Sequence, residues 1–140
     1  MKRLAREPQA IAEAEGKDVK VISSLFWTLP ADRYYNVLLL QRPVEEVVAS
    51  QAAMLERLGA APPALPGLAL SAALTAHLKQ VEAWMSKQAH LRVCLFSYHS
   101  LLRDPQRAAL NMRAFLGLDL DVAAMAAQVT PKLCRQRRGG

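Results

Sequence analysis

Tyr34-Tyr35-Asn36-Val37-Leu38-Leu39-Leu40-Gln41-Arg42-Pro43-Val44-Glu45-Glu46-Val47-Val48-Ala49-Ser50 contains, in Val37 to Leu40, an apolar run with the length and aliphatic content of a buried strand. The run stops at Gln41-Arg42. Pro43 then suits the first residue of a helix, because its φ is preset and it has no N–H to leave unbonded. Glu45 and Glu46 fall in the first turn, where the helix dipole favours carboxylates. The spacing predicts a strand over 34–40 and a helix over 43–58, closed by Gly59. Val44, Val47, Val48, Ala52 and Leu55 form the apolar face of that helix. A strand feeding a helix N-terminus is the half-βα unit with which α/β proteins hold phosphates. Arg42 stands at the carboxyl end of the strand, where open α/β sheets bind ligands. Ser50, two turns along the helix, shares its edge.

Working outward, Val19 to Ile22 alternates as a short strand would, and Leu25 to Pro30 reads as a bridge. Arg6 to Glu15 is rich in Ala and Glu and reads as a helix stopped by Gly16. After a proline-rich loop at 60–67, an amphipathic helix is expected over 68–88, with Leu70, Leu74, Leu78, Val81, Trp84 and Met85 on its apolar face. Leu91 to Ser97 is a third strand. Asp104 caps a helix that has Pro105 at its first position and stops before Gly117, and Asp121 caps a last one over 122–129. Strands alternating with helices imply an α/β fold with a parallel sheet covered on both faces.

The pattern of a strand followed by Arg-[Asn/Asp/Pro]-x-x-[Asp/Glu]-Val-x-x-Ser, carried here by Arg42 to Ser50, closely resembles the 3′-phosphate-binding segment of sulfotransferases that use 3′-phosphoadenylyl sulfate (PAPS). The resemblance implies that Arg42 and Ser50 hold the 3′-phosphate of that co-substrate. Lys20, in Val19-Lys20-Val21-Ile22 ahead of Leu29-Pro30, matches the family lysine that contacts the bridging oxygen of the phosphosulfate. Ile22 stands where many members have the histidine that serves as general base, and an aliphatic side chain accepts no proton. Phe96 to Pro105, followed by Phe115-Leu116-Gly117, resembles the family's Tyr-Glu-x-Leu-x-x-Asp-Pro…Phe-Leu-Gly stretch. Tyr98 takes the place of the tyrosine beside the adenine, and His99 replaces the common Glu. The basic tail through Arg137-Arg138-Gly139 is only loosely similar to the loop that closes on the 3′-phosphate.

The implied fold is a three-layer parallel sheet flanked by helices, of the P-loop NTPase-like sulfotransferase kind. The family's glycine-rich loop for the 5′-phosphosulfate is not in this sequence. Residues 1–140 are therefore expected to be one sulfotransferase-like domain truncated at its N-terminus. The chemistry the resemblance implies is sulfuryl transfer to a hydroxyl or amine, expected to be inactive or incomplete as given, and the alternative is a non-catalytic nucleotide-binding or interaction protein of the same fold.

Composition sets the remaining expectations. The 140 residues are 52% hydrophobic and 21% charged, with a formal charge of +6. That suits one soluble domain, and no apolar run is long enough to span a bilayer. The N-terminus has no signal-peptide h-region. Much of the positive excess sits on the tail with few aromatic residues, which leaves nucleic acid an unlikely partner. Cys94 and Cys134 read as free thiols in the cytoplasm, and no His/Cys/carboxylate spacing suggests a metal. A sheet with an uncovered edge makes a homo-oligomer a possible state.

Overall fold

The computed structural model describes residues 16–61 and 65–130. The chain is mixed α/β. A six-residue 3-10 helix at Ser23–Thr28 comes first. Strand β1 (Tyr35–Gln41), helices α1 (Val44–Arg57) and α2 (Gly67–Met85) and strand β2 (Leu91–Ser97) follow. Three further helices complete the order: α3 (Tyr98–Arg103), α4 (Pro105–Leu116) and α5 (Val122–Ala127). β1 pairs with β2 in a two-stranded parallel sheet. The helix expected over 6–15 and the basic tail lie outside the described residues.

The chain divides into two compact units. One comprises Met1–Tyr35 with His77–Arg92, the other Asn36–Ala76 with Val93–Gly140. In the first, the buried side chains are Phe26 from the 3-10 helix and Val81 and Met85 from α2. Trp27 stands edge-on to Trp84 at 5.2 Å between ring centroids, and His77 Nε2 lies 3.0 Å from Ser23 Oγ. His77, Val81, Trp84 and Met85 recur at helical spacing, so a single face of α2 supplies both the core and these contacts. Val19 to Ile22 is irregular rather than a strand. Four alternating residues fix no ladder unless a neighbouring strand offers its hydrogen bonds, and the described residues supply no third strand.

In the second unit the core is built from Phe96 of β2 and Ala108 and Ala109 of α4. The two alanines are small enough for neighbouring backbone to come close, and α4 packs on α5 and on α3. Local chemistry fixes the helix limits. Asp104 Oδ1 accepts from Arg107 N at 3.0 Å, and Asp121 Oδ1 accepts from Ala124 N at 2.9 Å. Gly117 ends α4 at φ 67°, a left-handed conformation that glycine adopts without a Cβ penalty. Pro43 is the N-cap of α1 rather than its first helical residue. At φ −51° and ψ 129° it is extended, so its carbonyl faces Glu46 N and Val47 N, at 3.1 and 3.2 Å. α3 was not expected. Ser97 Oγ accepts from Ser100 N at 3.3 Å and turns the chain into a helix directly from the strand. Among the described residues no helix is long and apolar enough to cross a membrane.

Candidate functional site at the strand ends

In a parallel sheet all strands end at the same edge, and here the residues that follow β1 and β2 meet there. Arg42 comes immediately after β1, Glu46 lies in the first turn of α1, and Tyr98 and His99 open α3 directly after β2. Glu46 is the centre. Its side chain is 4% exposed; Oε2 accepts from Arg42 Nε at 3.0 Å, and Oε1 lies 3.0 Å from His99 Nε2. A buried carboxylate is tolerated only when its charge is paired and its oxygens bonded. Both conditions are met, and the first-turn position adds the favourable end of the helix dipole.

The Arg42 guanidinium carbon lies 4.8 Å from the centroid of the Tyr98 ring, within cation–π range. The carboxylate and the ring thus hold one guanidinium from two sides. Because a carboxylate only accepts, the hydrogen bond to Oε1 requires a proton on His99 Nε2 and leaves Nδ1 as the acceptor nitrogen of the neutral ring. His99 is 46% exposed. The cluster therefore combines a guanidinium held by a carboxylate, a flat aromatic surface and an oriented imidazole.

Of the residues singled out from sequence, Arg42 and Tyr98 are brought together. Ser50 is half-buried on α1. Lys20 is exposed on the irregular stretch before the 3-10 helix, in the first unit. Glu46 entered the sequence reading only as a helix-dipole acid and His99 only as a departure from a family pattern. The i,i+4 spacing of Arg42 and Glu46 is a legible ion-pair signal. The link from Glu46 to His99 joins residues 53 apart and leaves no local trace.

Titratable groups in the first unit are arranged differently. Tyr35 stands edge-on to His90 with centroids 6.1 Å apart, and Tyr35 Oη and His90 Nε2 are buried with no hydrogen-bond partner among the described residues. Burial, and secondarily the charge of Asp32, push the Tyr35 hydroxyl above its ordinary value, while Arg33 opposes the shift. Among the described residues no group of three His, Cys, Asp or Glu side chains is placed to hold a metal ion. Searches against family models, curated proteins and solved structures return no match for the chain.

Proposed function

We propose that this chain is a sulfotransferase-type nucleotide-binding domain that takes PAPS, or the adenosine 3′,5′-bisphosphate left after transfer. Arg42 and Ser50 serve the 3′-phosphate and Tyr98 the adenine. In this reading β1 and β2 belong to a three-layer parallel sheet flanked by helices. The observation that carries it is the contact of Arg42 with Tyr98 at 4.8 Å. Two motifs, far apart in sequence and each matched to the same nucleotide, put their key residues side by side at the carboxyl edge of a parallel sheet. That edge is where such ligands bind in α/β folds, and an arginine suits a phosphate better than a point-charge lysine would.

The reading predicts that adenosine 3′,5′-bisphosphate binds more tightly than adenosine 5′-monophosphate. Arg42→Ala should cost about 1.5–3 kcal/mol of the bisphosphate's affinity, the scale of a hydrogen bond to a charged group. Isothermal titration calorimetry of both nucleotides on both proteins checks this. Equal binding of the two nucleotides, or an unchanged affinity in the variant, would remove the assignment.

A further inference from the structure

An arginine that reaches for a phosphate has a long flexible stem to order, and a fork aimed wrongly forfeits its paired hydrogen bonds. At this strand end the guanidinium is held by its neighbours. We propose that Glu46 is the positioning residue of the phosphate site, setting the direction in which the Arg42 guanidinium meets the 3′-phosphate. The identity of the ligand rests on the sulfotransferase-type reading.

Glu46 Oε2 accepts from Arg42 Nε at 3.0 Å, and the guanidinium carbon lies 4.8 Å from the centroid of the Tyr98 ring. Two contacts from different elements leave the group little room to rotate. The carboxylate is itself fixed. It is 4% exposed, and its other oxygen lies 3.0 Å from His99 Nε2, so it cannot turn without breaking a contact. The contact uses the Nε donor, whereas the Nη groups, which carry the other guanidinium donors, are not part of it.

A carboxylate this close to a bound phosphate also repels it, so positioning and charge act with opposite signs. The surroundings of Glu46 favour positioning. Its charge is engaged by a guanidinium and an imidazole N–H, and it stands in the first turn of α1, where the helix dipole offsets a negative charge.

Calorimetry of adenosine 3′,5′-bisphosphate and adenosine 5′-monophosphate on wild type, Glu46→Gln and Glu46→Ala separates the two effects. Glu46→Gln keeps an oxygen for Arg42 Nε–H, and its amide can donate to His99 Nε2 once that ring carries its proton on Nδ1. Bisphosphate affinity should stay close to wild type. Glu46→Ala releases the guanidinium and should weaken the bisphosphate about 3- to 10-fold, the scale of ordering one flexible side chain on binding. The monophosphate, which has no 3′-phosphate, should bind all three proteins alike. A gain in bisphosphate affinity in Glu46→Gln, or an equal loss of both nucleotides in Glu46→Ala, overturns the proposal. The first would mean that repulsion wins, the second that Glu46 only supports the fold.

Nitrogen-15 NMR of the arginine Nε–H groups tests the tether in the wild-type chain, with no nucleotide and no variant to fold. The Arg42 Nε–H should exchange with water several-fold more slowly than that of Arg113, whose pair with Asp119 is exposed. Exchange as fast as that of Arg113 would remove the role of Glu46 and leave the 3′-phosphate reading standing. Equal binding of the two nucleotides by the wild type would remove the 3′-phosphate reading, and the positioning role with it, even with a protected Arg42 Nε–H.

Discussion

Two tyrosine–histidine ring pairs flank the strands. Tyr35 opens β1 and meets His90, the residue before β2, at 6.1 Å and 69°. Tyr98, the residue after β2, meets His99 at 6.0 Å and 75°. As aromatic contacts the two are nearly identical, both edge-to-face and within the range where such pairs are favourable. The polar atoms around them differ. At the amino end, Tyr35 Oη and His90 Nε2 are buried with no hydrogen-bond partner among the described residues. At the carboxyl end, a buried carboxylate has both oxygens engaged. Ring geometry alone is packing. The carboxylate is what separates the two, because it holds a guanidinium and an imidazole at one strand end.

The largest expected effect comes from removing that carboxylate. Glu46→Ala takes from Arg42 and His99 the carboxylate they share, and breaking a buried ion pair in this way destabilises by about 3 kcal/mol, the lower end of the usual range. The lower end applies because Arg42 is 20% and His99 46% exposed, so water recovers part of the loss. A urea melt measures it. A loss below about 1 kcal/mol, the scale of surface pairs, would erase the distinction between the two strand ends.

The amino end should respond with the opposite sign. Tyr35→Phe removes an unpartnered buried hydroxyl, so the variant should match or exceed wild type at neutral pH by up to about 1 kcal/mol. The Tyr35 hydroxyl has a raised pKa in the folded chain, chiefly through burial. Its contribution is therefore fully present below the ordinary tyrosine value of about 10 and is lost as pH rises through the folded value. Thermal melts across the alkaline range should show that part of the decline missing in Tyr35→Phe. A phenylalanine variant that is markedly less stable at neutral pH would mean that the hydroxyl has a partner after all.

The smallest effect tests whether distance alone measures an ion pair. Arg113 Nη2 lies 2.8 Å from Asp119 Oδ1, closer than either contact of Glu46, but Asp119 is 95% exposed. A double-mutant cycle on this pair should give under about 1 kcal/mol. Molar salt should abolish most of it, because screening reaches full effect in solvent. A coupling as large as that of Glu46 would show that burial is not what separates the two.

Much of the fold was written locally. β2 runs over the seven residues its apolar pattern marks, α4 begins at the Asp104-Pro105 signal, and α1 and α4 stop at Gly59 and Gly117, both at positive φ. These features depend on near neighbours, which is why they are legible. The misreadings concern elements whose state is set elsewhere. Val19 to Ile22 has an alternation with no ladder to join, and α3 hinges on the Ser97 hydroxyl turning inward to cap. At the candidate site, Arg42 and Tyr98 stood out because each sits in a patterned stretch. Glu46 resembled any first-turn acid, and only the tertiary pairing of two strands brings His99 to it.

The parallel pairing of β1 with β2 has a consequence for the order of events on the ribosome. α4 and α5 are joined by the short stretch Gly117 to Asp121, whereas everything from Arg42 to His90 separates the two strands. By the logarithmic dependence on loop length, closing the longer connection costs about 2 kcal/mol more entropy than closing the shorter one. Translation adds a wait. At 5–20 residues per second, roughly 3–10 s pass between the emergence of β1 and that of its partner. Through that interval Val37 to Leu40 is an apolar strand with nothing to pair with, so the nascent chain offers a holding chaperone a defined target. Glu46, already synthesised, acquires its histidine only when that wait ends.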